Sequence, residues 1–397
     1  MHLSKKVNEM EFSGTMQISG KAKELKAQGV NVIDLSVGEP DFPTPQRIKD
    51  AGIKAMADGH TGYTMAAGIV PLREAVGKWI KDFSGVEYAT NEIIVSNGAK
   101  HSLYNTLQTI IEVGEEVIIP APYWVTYPAL VKIADGVPVY IDTTSESDFK
   151  ITPEQLKAAI TDKTRALILC NPSNPTGSVY TKSELEEIGK IVLENDLYVI
   201  SDEIYSRLVY DDFEYVSFPS LSPELKKKTI LIEGVSKSYS MTGWRIGFTA
   251  ADKELISAMG KLQSQMTSNP SSISQYAAME AVAGPQDDVE EMRVTFAKRR
   301  EFLFKALNEI DGVKAENAKG AFYLFPDFSS FFGKSYKETK IEGSMDLAMY
   351  LIAEAQVATV PGSVFGAEGF MRIAYATSTA NLEEGISRIK EAVAKLQ

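Results

Sequence analysis

The sequence predicts an α/β fold: a mostly parallel seven-stranded sheet flanked by helices, joined to a smaller α+β unit. Three observations predict it. Seven short runs rich in apolar and β-branched residues recur along the middle of the chain, with the few polar positions expected of strands covered on both faces. Helical stretches with recognisable starts lie between several of them, the alternation that builds parallel sheets. Beyond about residue 290 the alternation stops and a charged helical pattern takes over.

In chain order the runs are Ile93–Ser96, Val117–Ile119, Val137–Ile141, Ala166–Leu169, Tyr198–Ser201, Thr229–Glu233 and Ile246–Thr249. Thr152-Pro-Glu-Gln155 and Thr181-Lys-Ser-Glu184 read as capping boxes, the first with proline at the opening helical position. After the second box, Leu185, Ile188 and Val192 share one helical face. A long charged helix is expected near 285–310, and a closing amphipathic helix carries Leu382, Ile386, Ile389, Val393 and Leu396, with Asn381 as its cap. The expected division is an N-terminal segment 1–46, a large cofactor-binding domain 47–290 and a small domain 291–397.

Composition narrows the function. The 397 residues are 44% hydrophobic and 24% charged, as in a soluble globular protein. A net charge of −12 argues against nucleic acid, whose phosphates call for a basic face. One cysteine, Cys170, and three histidines leave no disulfide pair and no ordinary zinc set, so no metal is expected. No apolar run reaches the roughly 18 residues of a membrane span. The opening MHLSKKVNEMEF lacks the apolar core of a signal peptide. A cytoplasmic protein acting on small molecules is expected.

Ligands of open α/β sheets sit beyond the carboxyl ends of the strands. There the sequence places Asn97-Gly98-Ala99-Lys100 opening a helix, Tyr123-Trp124, the run NPSNPTG (171–177), Asp202-Glu-Ile-Tyr205, and SKSYSMTGWR (236–245). Singly each has a plainer reading: a surface lysine, a loop cap, a turn cluster. Together they suit a flat, phosphorylated heteroaromatic aldehyde. A helix N-terminus and Arg245 suit the phosphate. Trp124 can stack on the ring, Asp202 can hold a proton on a ring nitrogen, and Asn174 and Tyr205 can bond a ring hydroxyl. Lys237 can form an imine with the aldehyde, its amine freed by crowding from Arg245. That is pyridoxal 5′-phosphate, an electron sink.

These residues resemble those of the class I aminotransferases of pyridoxal-phosphate fold type I, along essentially the whole chain. The matching stretches are VGEPDFPTP (37–45), GYTMAAGIVPLREA (62–75), APYWVTYP (121–128), NPSNPTG, SDEIY (201–205), SKSYSMTGWRIGF (236–248), GAFY (320–323) and MRIAYAT (371–377). Within the family the chain is most similar to bacterial aspartate aminotransferases. The resemblance implies the same roles for Lys237, Asp202, Asn174, Tyr205 and Trp124, and gives the phosphate to Arg245, Ser236 and the Gly98–Lys100 backbone. It also implies that Arg372 pairs with the substrate α-carboxylate, that the Gly38 backbone meets the same group, and that Tyr63 reaches the phosphate of a second subunit, hence a homodimer with shared sites. Read alone, Arg372 is an ordinary surface arginine. Gly234 stands where the family usually has serine or alanine, and the loss of a phosphate donor is expected there.

The implied reaction moves an amino group from an amino acid to a 2-oxo acid in two halves, Lys237 acting as general base and acid. In the resembling subgroup a lysine at the position of Lys100 binds a distal carboxylate, and Ser13 and Thr15 match a segment that folds over the substrate. A cation at a helix N-terminus is otherwise disfavoured, which gives Lys100 a reason to be there. Aspartate and glutamate, with 2-oxoglutarate and oxaloacetate, are the expected substrates. Glu11 lies near where prephenate-using relatives carry lysine, which lowers that activity. The alternatives are an alanine or aromatic aminotransferase, a β-lyase on the same fold, a sensor fused to a DNA-binding module, and an inactive scaffold. The sensor would need an added N-terminal domain, whereas the resemblance begins near residue 4. Joint retention of Lys237, Asp202, Arg245 and Arg372 opposes the scaffold.

Overall fold

In the computed structural model, residues 3–8, 10 and 14–397 are described, with side chains from residue 17 onward in the second helix. The seven expected strands are all present: β1 (Ile93–Ser96), β2 (Glu116–Ala121), β3 (Val137–Asp142), β4 (Thr164–Cys170), β5 (Tyr198–Asp202), β6 (Thr229–Gly234) and β7 (Gly247–Ala250). They form one sheet in the order β1-β7-β6-β5-β4-β2-β3. Only β7 runs against the others: it pairs antiparallel with both β1 and β6, and the remaining pairs are parallel. The carboxyl ends of β1 to β6 therefore meet at one edge, and the chain entering β7 starts from that edge too.

Every residue of β1, β6 and β7 is buried, as a sheet covered on both faces requires. Three apolar clusters line its faces, and a fourth, large one runs from Ile18 through Phe296 and Tyr323 to Leu396. A second sheet of three short antiparallel strands, β8 (Tyr323–Leu324), β9 (Val360–Pro361) and β10 (Met371–Ala374), has the order β9-β10-β8. Among the described residues, no helix is long and apolar enough to cross a membrane.

Both capping boxes form. Thr152 Oγ1 accepts the Gln155 N–H and the Gln155 side chain accepts the Thr152 N–H; Thr181 and Glu184 do the same. Leu185, Ile188 and Val192 are buried on the helix Lys182–Glu194. Thr181→Ala leaves the Glu184 N–H without its acceptor and should lower stability by about 1 kcal/mol, with Thr181→Ser recovering most of it in urea unfolding. The long charged helix spans Asp287–Asn308.

The cap of the closing helix differs from expectation. Ser378 Oγ accepts the Asn381 N–H, and Asn381 lies in the first turn of Thr379–Val393, with its amide on Thr377. Ser378 is the residue with extended backbone just ahead of the helix, so its hydroxyl, not the Asn381 side chain, takes the cap position. Leu396 lies past the helix end, still buried.

Candidate active site

The edge where β1 to β6 end opens onto a cavity of about 420 Å³. Lys237 follows β6 by three residues. Its Nζ donates to the Gly38 carbonyl at 2.5 Å. Burial lowers its pKa to about 8; Glu39 and Asp202 oppose the shift, and Arg372 and Arg245 add to it. The expectation that Arg245 frees the amine is corrected here: desolvation is the main cause, and Arg372 precedes Arg245 among the charges. At pH 8 about half of such amines are neutral, against about one in three hundred for an ordinary lysine.

Asp202 ends β5 and is 3% exposed. Tyr127 Oη donates to Oδ2 at 2.7 Å and the Ile204 N–H reaches Oδ1 at 3.4 Å. Burial raises the carboxyl pKa, while Tyr127, Ile204 and the Lys237 charge hold it down. Among the described residues Asp202 has no salt-bridge partner. Its neighbour Glu203 turns to the other side, onto Ser201, Tyr215 and the Phe218 N–H. Strand alternation thus aims one acid of the pair at the cavity and the other into the core.

Arg372, on β10, is 5% exposed, so the surface reading of it fails. Nη1 donates to Asn174 Oδ1 at 3.0 Å and Nη2 to the Ser36 carbonyl at 2.7 Å. Its Nε is buried without a partner. Tyr205 Oη lies 2.9 Å from Tyr323 Oη.

The helix Ala99–Ile110 begins at Gly98, whose φ is +88°. The amides of its first turn have no intrahelical acceptor. A Cβ on Gly98 would lie 2.3 Å from Arg245 Nη2, so only glycine lets the guanidinium approach this backbone; Arg245 Nη1 is held by the Thr242 carbonyl at 2.8 Å. Lys100, whose pKa burial lowers with help from Arg245, has Nζ 5.0 Å from the Trp124 ring centroid. Trp124 meets Tyr127 edge-to-face.

Thus Gly38, Ala99, Lys100, Trp124, Asn174, Asp202, Tyr205, Ser236, Lys237, Arg245 and Arg372 line one cavity, and Gly98 backs Arg245. Tyr63 does not join them: it is 93% exposed. Ser13 and the Thr15 side chain lie outside the described residues. A Cβ on Gly234 would face Ile204 and the Ile246 carbonyl. A hydroxyl there would enter the packed sheet end, so the expected loss of a phosphate donor does not arise at this position. Among the cavity residues that carried no site expectation are Tyr127 and Tyr323. Tyr127 lies three residues after Trp124 at a helix start, a spacing that puts the two on one side.

The model of the family described as aminotransferase class I and II matches residues 30–389. The aspartate aminotransferase of Bacillus sp. strain YM-2 is 52% identical over 387 residues, covering 98% of each chain. A probable aspartate/prephenate aminotransferase of Rickettsia felis is 44% identical, over 98% of this chain and 96% of that one. The crystal structure of the Rhizobium meliloti aspartate aminotransferase superposes with a TM-score of 0.97 at 40% identity, over 100% of both chains. With the cavity and its lysine, these similarities make the chain a member of the class I and II aminotransferases, enzymes that depend on pyridoxal 5′-phosphate.

Proposed function

We propose that this aminotransferase takes aspartate as donor and 2-oxoglutarate as acceptor, releasing oxaloacetate and glutamate. The observation that carries the reading is a pair of cations, Arg372 and Lys100, on one cavity around the Lys237 amine. A dicarboxylate needs two cations; a monocarboxylate leaves Lys100 without an anionic partner.

The residues fit the cofactor. Among the described residues Asp202 is a buried acid with no salt-bridge partner, and the protonated ring nitrogen would supply one. Gly98 and Arg245 form a cradle at a helix N-terminus suited to a phosphate. Ser236 and the Ala99 and Lys100 amides would complete it, with Trp124 on the ring face and Asn174 and Tyr205 at the ring hydroxyl. Pyridoxal phosphate, when bound, supplies an electron-poor ring that takes up the charge of a broken C–H bond. Lys237 Nζ takes the substrate Cα proton and returns it on the other side of the transfer, acting as base and then acid. Arg372, already fixed by Asn174 and Ser36, orients the α-carboxylate so that the Cα–H faces the amine. The Gly38 carbonyl keeps Nζ in place between the two tasks.

The proposal includes a homodimer in which the exposed Tyr63 of each chain enters the other's site, a cytoplasmic location, and the division into 1–46, 47–290 and 291–397. The seven-stranded sheet falls wholly inside the middle segment, and an apolar cluster joins Ile18–Leu35 to Met292–Leu396. The names of the relatives support aspartate; prephenate ranks second because Glu11, itself outside the described residues, is acidic.

Borohydride reduction followed by peptide mapping should place the cofactor label on Lys237; a label elsewhere, or none, overturns the reading. For substrate choice, Lys100→Ala should raise KM for aspartate by about tenfold or more, the size of a charge-assisted contact, with little change for alanine. Equal effects on both would remove the dicarboxylate assignment.

A further inference from the structure

We propose that Tyr323 is a positioning residue with two separable duties: its ring seats the carboxylate-binding arginine, and its hydroxyl sharpens the phenol beside the cofactor ring. This deepens the reading above and rests on its assignment of Arg372 and Tyr205.

The strand register brings Tyr323 to the site. Tyr323 on β8 pairs with Ala374 on β10. Paired residues share a face, as does Arg372 two positions along, so Tyr323 and Arg372 are diagonal neighbours within side-chain reach. The guanidinium lies 4.4 Å from the Tyr323 ring centroid. Nε is buried and unpartnered, and of the two rings against the guanidinium, Tyr323 and, at 5.1 Å, Phe365, the tyrosine is the nearer, its negative face offsetting the charge.

The other end of the side chain points to Tyr205, 2.9 Å away between hydroxyl oxygens, with the rings edge-to-face. If Tyr205 gives its proton to the cofactor's ring oxygen, its own oxygen accepts from Tyr323. A donor that also accepts is polarised and becomes a stronger donor. The charged and titratable groups facing this pair are Arg372 and the Cys170 thiol. Gly38 leaves the hydroxyl its room: a Cβ there would lie 2.7 Å from Tyr323 Oη. One side chain, 1% exposed, thus meets the arginine and the phenol and fills the room left by the glycine whose carbonyl holds Lys237.

Two variants separate the duties. Tyr323→Phe keeps the ring and loses the hydroxyl; Tyr323→Leu loses both, and Tyr323→Met replaces it if the leucine variant does not fold. On the holoenzyme, two quantities are measured: the pH midpoint of the bound cofactor's visible absorption change, and the Kd of maleate, an unreactive dicarboxylate. The phenylalanine variant should raise the midpoint by about half a pH unit or more, because a weakened donor stabilises the anionic ring oxygen less. Its maleate Kd should stay within about twofold, while the aliphatic variant weakens maleate about tenfold. An unmoved midpoint in Tyr323→Phe, or maleate weakened equally by both variants, overturns the proposal. A wild-type holoenzyme that neither changes colour with pH nor binds maleate would overturn the functional reading beneath it instead.

Discussion

Replacing Lys237 with alanine should reduce turnover of aspartate and 2-oxoglutarate by about 10⁴-fold or more, since one nitrogen serves as both cofactor tether and proton carrier. Cofactor should still bind, because the phosphate cradle, Trp124 and Asp202 are untouched. The loss can be told apart from damage to the fold. The Lys237 pKa is lowered to about 8 in the folded chain. A base with a depressed folded pKa costs the folded state stability below that value, and the cost fades as pH rises towards the ordinary lysine range. The alanine variant, free of the buried charge, should therefore unfold no earlier than wild type at pH 7 as apoprotein. Thermal unfolding at pH 7 and pH 10, beside steady-state rates, checks both halves. Transamination near the wild-type rate would end the assignment of this lysine.

Asp202→Asn should cost about 10³-fold in kcat, the scale for removing one preorganised charge from where a reaction needs it. The amide keeps the size of the carboxylate and can still accept from Tyr127 Oη, but it cannot balance a protonated ring nitrogen. Here too the sign of the stability change is opposite to the change in activity. Burial raises the Asp202 pKa, so its ionised form burdens the folded apoprotein at neutral pH, and the asparagine variant should be at least as stable. A kcat loss smaller than tenfold would take the ring-nitrogen role from Asp202. Both substitutions thus test for groups whose unfavourable burial is offset only when the cofactor is present.

Much of this was legible in the chain. Strands β1 to β7 lie where apolar runs stand between turn residues, because strands buried on two faces leave a continuous apolar signal. The sheet-edge rule then brought Lys237, Asp202, Asn174, Trp124 and Arg245 together without any contact being known. Arg372 was not found this way. It sits on a strand of four residues in a small sheet, too short for periodicity to register, and its burial depends on Asn174 and Ser36 from distant segments. Tyr323 needs the same antiparallel register to come within reach. The main cause of the Lys237 shift was also hidden, since neighbouring charges can be counted in a sequence and depth in the fold cannot. Asn381 suits a cap as well as serine does, and only the backbone decides for Ser378, three residues earlier.

The reversed direction of β7 has a consequence for how the chain can be cut. Gly234 pairs with Gly247, so residues 235–246, which carry Ser236, Lys237 and Arg245, form a closed hairpin pinned at both feet. The backbone between Lys237 and Arg245 lies wholly within that loop, while the Gly38 and Thr242 carbonyls hold the two side-chain ends. New termini opened at the exposed Asp135, past Trp124 and Tyr127 and just before β3 at the far border of the sheet, should leave a circularly permuted enzyme working, whereas a nick or a single inserted residue inside the hairpin should not.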